Sequence, residues 1–335
     1  DNVVDFGFKA DFVMIKNVDE GGSQWMILDS KRENGKAIYG NTNAAESDYT
    51  GDILLTSQGL RFGSTNINVN KASRTYVYMA FAKNVPSNTT LANSFNAVFY
   101  AGSSTSRAIS NFGFRPDLVW IKKLSATDLH VLTDSLRGDN KQLFSVQADA
   151  QSVSSTRITS FDTNGFTLDG TSSNRVNGSA NSFIAWGWKA GNTWQSNFDG
   201  TQKSLVNANT GNGFSIVKWK TNGASSQTVG HGLSSTPELV IYKRLDSSQD
   251  WFVETNAIDG SYDYGNLNNN NALTTNEAGA WSTRATSTTI TNFTSSNNFE
   301  YIAYCWHSVS GYSKLGSYDG TGSTNSITGL GFAPD

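Results

Sequence analysis

A phrase recurs along this chain. Gly113-Phe114-Arg115-Pro116-Asp117-Leu118-Val119-Trp120-Ile121-Lys122 is echoed by Gly7-Phe8-Lys9-Ala10-Asp11-Phe12-Val13-Met14-Ile15-Lys16. It returns more distantly at Pro237-Glu238-Leu239-Val240-Ile241-Tyr242-Lys243 and begins again at Gly331-Phe332-Ala333-Pro334-Asp335. The starts lie roughly 100 to 120 residues apart, too long for a solenoid and right for a small folding unit, so the chain reads as a string of homologous beads.

The repeat extends past that phrase. Asp29-Ser30-Lys31-Arg32 and Asp134-Ser135-Leu136-Arg137 share an Asp-Ser-x-Arg pattern, and Glu254-Thr255 stands at the matching place in a more divergent third copy. Each unit closes on an aromatic alternation, Tyr76 to Phe81, Phe183 to Trp188 and Tyr301 to Trp306. An aromatic shortly before Gly recurs at Tyr100-Ala101-Gly102, Phe198-Asp199-Gly200 and Tyr318-Asp319-Gly320. The boundaries that follow are 1–92, 93–206 and 207–311, with 312–335 as the start of a fourth repeat or a strand-donating tail.

About 100 residues per unit is enough for a core without metals or disulfides. The single Cys305 forms no internal bridge and reads as a small buried hydrophobe. Only 16% of residues are charged, the net charge is -3, and Lys and Arg are scattered, which argues against a nucleic-acid groove. With no apolar run long enough to span a bilayer, membrane insertion is not expected. The chain opens inside a repeat and stops where a further strand is due, so we expect a piece of something longer.

Within each unit the period is two. In Ser182 to Trp188, Phe183, Ala185 and Gly187 face one way and Ile184, Trp186 and Trp188 the other, so these are central strands with apolar groups on both faces. Short strands separated by Gly, Asn and Ser clusters predict a mainly β fold of three tandem antiparallel β-sandwich or jelly-roll-like domains. Short helices are expected over 140–150 and 36–47, and 266–275, with four consecutive Asn, reads as a surface loop. In the recurrent phrase Gly permits positive φ and Asp accepts turn hydrogen bonds, while Asp-Ser-x-Arg braces a loop by a charge-assisted bond.

Catalytic and metal signatures are absent from the sequence. His130, His231 and His307 do not form a ligand spacing, no phosphate loop or Gly-x-Ser-x-Gly elbow occurs, and no Asp-rich calcium loop is present. No cofactor, catalytic residue or metal ligand is expected. Two carboxylates suffice for a glycosidase, but Asp250 and Glu254 read as surface residues, leaving a polysaccharide depolymerase as the least favoured function. Trp194, Trp219, Trp251, Trp281, Tyr262 and Tyr264 lie among Asn, Asp, Ser and Gly, the mixture that sugar sites use. Of these, Tyr262, Tyr264 and Trp281 are the expected exposed ligand-binding set, and the others are expected in the core.

Taken together, the recurrent phrase, Asp-Ser-x-Arg, the Ser160-Phe161-Asp162-Thr163-Asn164-Gly165-Phe166 passage and the Ala185-Trp186-Gly187-Trp188-Lys189-Ala190 close resemble a tandem β domain of tailed-phage virion proteins, common in phages of marine bacteria. The resemblance implies a non-enzymatic tail, tail-fibre or other virion surface protein, extracellular or on the particle. Its implied partners are other copies of itself, other virion proteins and a host surface glycan. A glycan-binding adhesion module is the alternative. Because the first unit lacks the passage that precedes the phrase elsewhere, 312–335 is expected to supply strands to a following unit or a neighbour.

Overall fold

The computed structural model describes all residues other than 1, 7, 58, 64, 83–92, 155–156, 171–174, 192, 225–226, 276–283, 293–296 and 323–335. The fourth occurrence of the recurrent phrase and Trp281 lie outside the described residues. The fold is all β, with no helix among the described residues.

In every unit the recurrent phrase runs into a central strand, Phe12–Asn17, Leu118–Lys123 or Leu239–Arg244. On one side it pairs with Met26–Asp29, Val131–Asp134 or Phe252–Thr255. On the other it pairs with the aromatic closing strand, Arg74–Phe81, Ser182–Trp188 or Asn297–Trp306. All these pairings are antiparallel. The turn before the second of these central strands needs Gly113, whose φ is 82°.

Period-two alternation divides each sheet between two cores. Phe12 and Met14, Leu118 and Trp120, and Leu239 and Ile241 converge on one central cluster shared by the three units. Their neighbours Val13 and Ile15, Val119 and Ile121, and Val240 and Tyr242 face three separate outer clusters. Second sheets, such as Asn2–Asp5 with Gly59–Phe62 and Ile53–Leu55, cover those outer clusters in turn. Six tryptophans, Trp25, Trp120, Trp186, Trp188, Trp251 and Trp306, are fully buried in the central cluster. At about 2–3 kcal/mol for each buried large side chain, that cluster is the main apolar anchor of the molecule.

A fourth strand completes each main sheet against the closing strand. The second unit uses Phe95–Ala101 and the third Phe214–Asn222. For the first unit it is Ser313–Gly320, from the far end of the chain, in register over eight residues with Arg74–Phe81. An aromatic stack marks the same place in all three: Tyr100 on Phe183, Trp219 on Tyr301 and Tyr318 on Tyr76. The chain therefore closes on itself, and its three units meet at three seams.

Several expectations change. Both predicted helical stretches instead contain short strands, Lys36–Tyr39 and Lys141–Gln142, because their apolar residues Ile38 and Leu143 are drawn into the central cluster and tertiary pairing outweighs local propensity. The Asn-rich stretch 266–275 is not simply a surface loop, since carbonyls of Asn266, Asn269 and Asn270 accept hydrogen bonds from the first unit. Phe198-Asp199-Gly200 is not the counterpart of Tyr100-Ala101-Gly102. That counterpart is Trp219, and Phe198 belongs to an additional hairpin, Gln195–Asn197 with Ser204–Asn209, that widens the third sheet.

Candidate functional site

Equivalent bonds stitch the three seams in cyclic order. Asp128 N donates to Asn43 O at 2.9 Å, Gln249 N to Ala148 O at 2.8 Å and Gly22 N to Asn270 O at 2.9 Å. A second set runs the other way, from Glu46 N to Leu124 O, Gln151 N to Leu245 O and Leu273 N to Val18 O. Trp25 Nε1 reaches Asn266 O at 3.0 Å and Trp251 Nε1 reaches Phe144 O at 2.9 Å. His130 occupies the corresponding position in the second unit, where its Nδ1 accepts from Trp120 Nε1 at 2.8 Å. Burial, reinforced by Lys122, drives its pKa well below the usual histidine value, so it is a neutral structural group.

Lys16, Lys122 and Lys243 also hold one place, each donating from buried Nζ to backbone carbonyls. Burial pulls each ammonium down to about 8. Their role is to satisfy carbonyls near the seams, and Lys122 and Lys243 reach across to the preceding unit, to Asn43 O and Ala148 O.

The Asp-Ser-x-Arg pattern is the strongest ionic feature. Asp29 Oδ1 accepts from Arg32 N, and its Oδ2 from Arg32 Nε at 2.8 Å. Asp134 and Arg137 repeat this turn with both side chains fully buried. The intervening Ser30 and Ser135 hydroxyls donate to Asp11 and Asp117, the acids of the recurrent phrase. Each seam carboxylate then takes a donor from the next unit: Trp186 Nε1 on Asp29 at 3.1 Å, and Tyr304 OH on Asp134 at 2.8 Å. The third seam holds Thr255 and Ile258 in place of Asp and Arg, and Met79 in place of the donor. A void of about 10 Å³ lies there among Met14, Trp25, Met79 and Thr255. Comparing Met79, Trp186 and Tyr304 along the closing strands was the available sequence signal for this coupled difference.

The ligand set expected from sequence is not assembled. Tyr262 is buried in the outer cluster of the third unit, with its hydroxyl on Ala285 O at 3.1 Å. Tyr264 is half-buried against the same cluster. Trp25, Trp219 and Trp251 are core residues. Glu254, expected at the surface, is buried, and desolvation raises its pKa to about 7, while Tyr242 OH donates to it at 2.7 Å. Burial also pushes the Cys305 thiol up, so it is a weak nucleophile.

The exposed large aromatics are others. Trp194 is 61% exposed and Phe198 71%, flanking the outermost strand of the eight-stranded sheet, and Lys203 Nζ lies 5.5 Å from the Phe198 ring centroid. Phe99, 51% exposed, lies on Phe95–Ala101 and lines a groove of about 350 Å³ between the first and second units. The opposite wall carries Lys31, Glu33, Lys36 and Glu46. Trp194 was expected in the core and is instead exposed, and Phe198 was read only as part of a recurrent aromatic-before-Gly passage, because nothing local in the sequence marks the added hairpin that carries them to a sheet edge.

The fold thus defines a class: an all-β protein of repeated antiparallel sheets around one central core, whose recurrent Asp, Arg and Lys side chains are taken up by internal bonds. The chain belongs to the family described as Domain of unknown function (DUF7483), whose model matches residues 1–85 and 91–335. No curated protein and no solved structure matches it.

Proposed function

We propose that this chain is a non-enzymatic structural body of a virion, a tail, tail-fibre or other surface protein that mediates assembly and host attachment, built from three β-sandwich, jelly-roll-like domains. The observation that carries this reading is closure: Ser313–Gly320 completes the sheet of the first unit, and one aromatic cluster serves all three. The pairing of Ser313–Gly320 covers the edge of Arg74–Phe81, and a covered sheet edge suits a protein exposed outside a cell. Its recurrent chemistry, Asp-Ser-x-Arg included, is engaged in internal bonds. The exposed Trp194 and Phe198 at a sheet edge supply a contact for another copy or another particle protein.

Antibodies raised against the folded protein test this reading by immunoelectron microscopy of purified tailed particles from the source culture. Labelling of tails or fibres is expected. Recovery of the chain only from the soluble lysate, with unlabelled particles, would overturn it.

A glycan-binding adhesion module is the second reading, favoured by the groove beside Phe99. Both roles are compatible in one surface protein, since weak sites gain strength when displayed in many copies.

A further inference from the structure

We propose that the groove between the first and second units is a carbohydrate site that takes an uncharged pyranose, with Phe99 as its stacking surface. This rests on the attachment role above and names its site and ligand class.

The first support is a break in the internal symmetry. Phe99 lies opposite Ile184 on the closing strand, and the same register position is Lys218 opposite Ile302 in the third unit and Ser317 opposite Val77 in the first. Lys218 is engaged by Glu300 at 3.4 Å. Ser317 Oγ donates to Ile258 O at 3.0 Å, tying its strand to the preceding unit. At Phe99 the polar tie is replaced by an aromatic ring that remains 51% exposed. A half-exposed aromatic in one copy, where the other two make polar contacts, departs from the repeat at the place where the groove opens, and it is this coincidence with a concave surface that points to a contact.

The second support is the chemistry of the walls. Lys31 and Glu33 are exposed and make no ion pair with a described residue, while Ser182 Oγ on the facing wall is also unengaged. Glu46 has Arg32 as a partner and Lys36 has Asp48, which largely neutralises the remaining charge. An anionic ligand would meet Glu33 and Glu46, and a cationic one Lys31 and Lys36. Sugar hydroxyls both donate and accept, so they satisfy an ammonium, a carboxylate and a serine together, while the apolar face of the ring covers Phe99. A concave volume of about 350 Å³ is at the small end of ligand pockets, suited to a short saccharide. Because its walls come from two units, the site exists only in the assembled body.

The test displays the biotinylated full chain as a tetramer on streptavidin over an array of neutral bacterial surface oligosaccharides, with sulfated and phosphorylated oligosaccharides alongside. Neutral saccharides should bind, and Phe99→Ala should weaken binding by about tenfold or more. Lys31→Ala and Glu33→Gln, on an exposed loop, should each weaken it with unchanged circular dichroism. Trp194→Ser should leave it intact. A blank array, a preference for the anionic saccharides, or binding that survives all three groove substitutions would overturn the proposal. Labelled particles together with a blank array would sink the groove alone, whereas unlabelled particles would sink the virion reading whatever the array shows.

Discussion

Two of the seams are ionic and the third is not. Where the first unit meets the second and the second meets the third, a buried Asp–Arg pair receives a Trp or Tyr donor from the neighbour. Where the third meets the first, Thr255, Ile258 and Met79 stand in those positions, yet the backbone stitching is intact. Carboxylate, guanidinium and donor are absent there together, as expected when one of them alone would leave a buried charge stranded. Chain connectivity follows one rule at all three seams: the closing strand of one unit leads into the strand that completes the sheet of the next, Arg74–Phe81 into Phe95–Ala101, Ser182–Trp188 by way of the added hairpin into Phe214–Asn222, and Asn297–Trp306 into Ser313–Gly320, which closes on the first unit.

The largest effect should come from breaking that closure. Truncation after residue 312 removes Leu315 and Tyr318 from the buried set and uncovers the edge of Arg74–Phe81. A loss of more than about 5 kcal/mol is expected, from two large side chains and an eight-residue ladder. Urea unfolding and size-exclusion chromatography would register it as a lowered midpoint and self-association. A truncated chain that stays monomeric with an unchanged midpoint would show that the third seam does not need its strand. A synthetic peptide spanning 306–322 should restore the midpoint if strand pairing is what was lost.

The second effect compares seams directly. Asp134→Ala leaves Arg137 buried without its carboxylate and should cost about 3–5 kcal/mol. Converting the second seam into a copy of the third, with Asp134→Thr, Arg137→Ile and Tyr304→Met together, should cost less than about 2 kcal/mol, since no charge is then stranded. Thr also preserves part of the turn, because Thr255 Oγ1 accepts from Ala257 N at 3.2 Å in the existing third seam. If the triple variant is less stable than the single one, the ionic network contributes net stability and the two kinds of seam are not interchangeable.

Strand class was legible because alternation in the central strands is strict, and the two-faced burial of Leu118 to Ile121 follows from it. The recurrent Asp and Arg were legible as a brace, since three-residue spacing forms a local turn. Their cross-unit donors were not, because Trp186 and Tyr304 are 157 and 170 residues from the carboxylates they bond. Composition misled at Tyr262. Polar neighbours suggested exposure, but its hydroxyl finds a buried carbonyl and lets the ring enter the core. The predicted helices failed for a related reason, since their pairing partners are remote in sequence.

The third effect concerns the divergent unit itself. Glu254 stands in the register of Leu28 and Thr133, facing an outer core with Tyr242 as its hydrogen-bond donor. Its pKa rises from the model-compound value of 4.5 to about 7 in the fold, so the folded state holds the proton more tightly. The associated stability is present below about pH 4.5, declines as pH rises, and is lost above about 7, a change of about 3 kcal/mol. Glu254→Gln should flatten that part of the pH–stability profile. An unchanged slope in the variant would assign the titration to another group.

The smallest effect on stability should come from the hairpin of the third unit, Gln195–Asn197 with Ser204–Asn209. Trp194 and Phe198 are mostly exposed, and neither belongs to the central or outer clusters. Trp194→Ser with Phe198→Ser should therefore shift the unfolding free energy by less than about 0.5 kcal/mol. Lys203 loses its contact with the Phe198 ring, but an exposed pair of that kind contributes little. If the hairpin serves contacts between molecules, sedimentation velocity at high concentration should show weaker self-association for the variant, and recovery in particles should fall. A large loss of stability would instead make the hairpin part of the closed body, and the third unit would differ from the others in sequence but not in role.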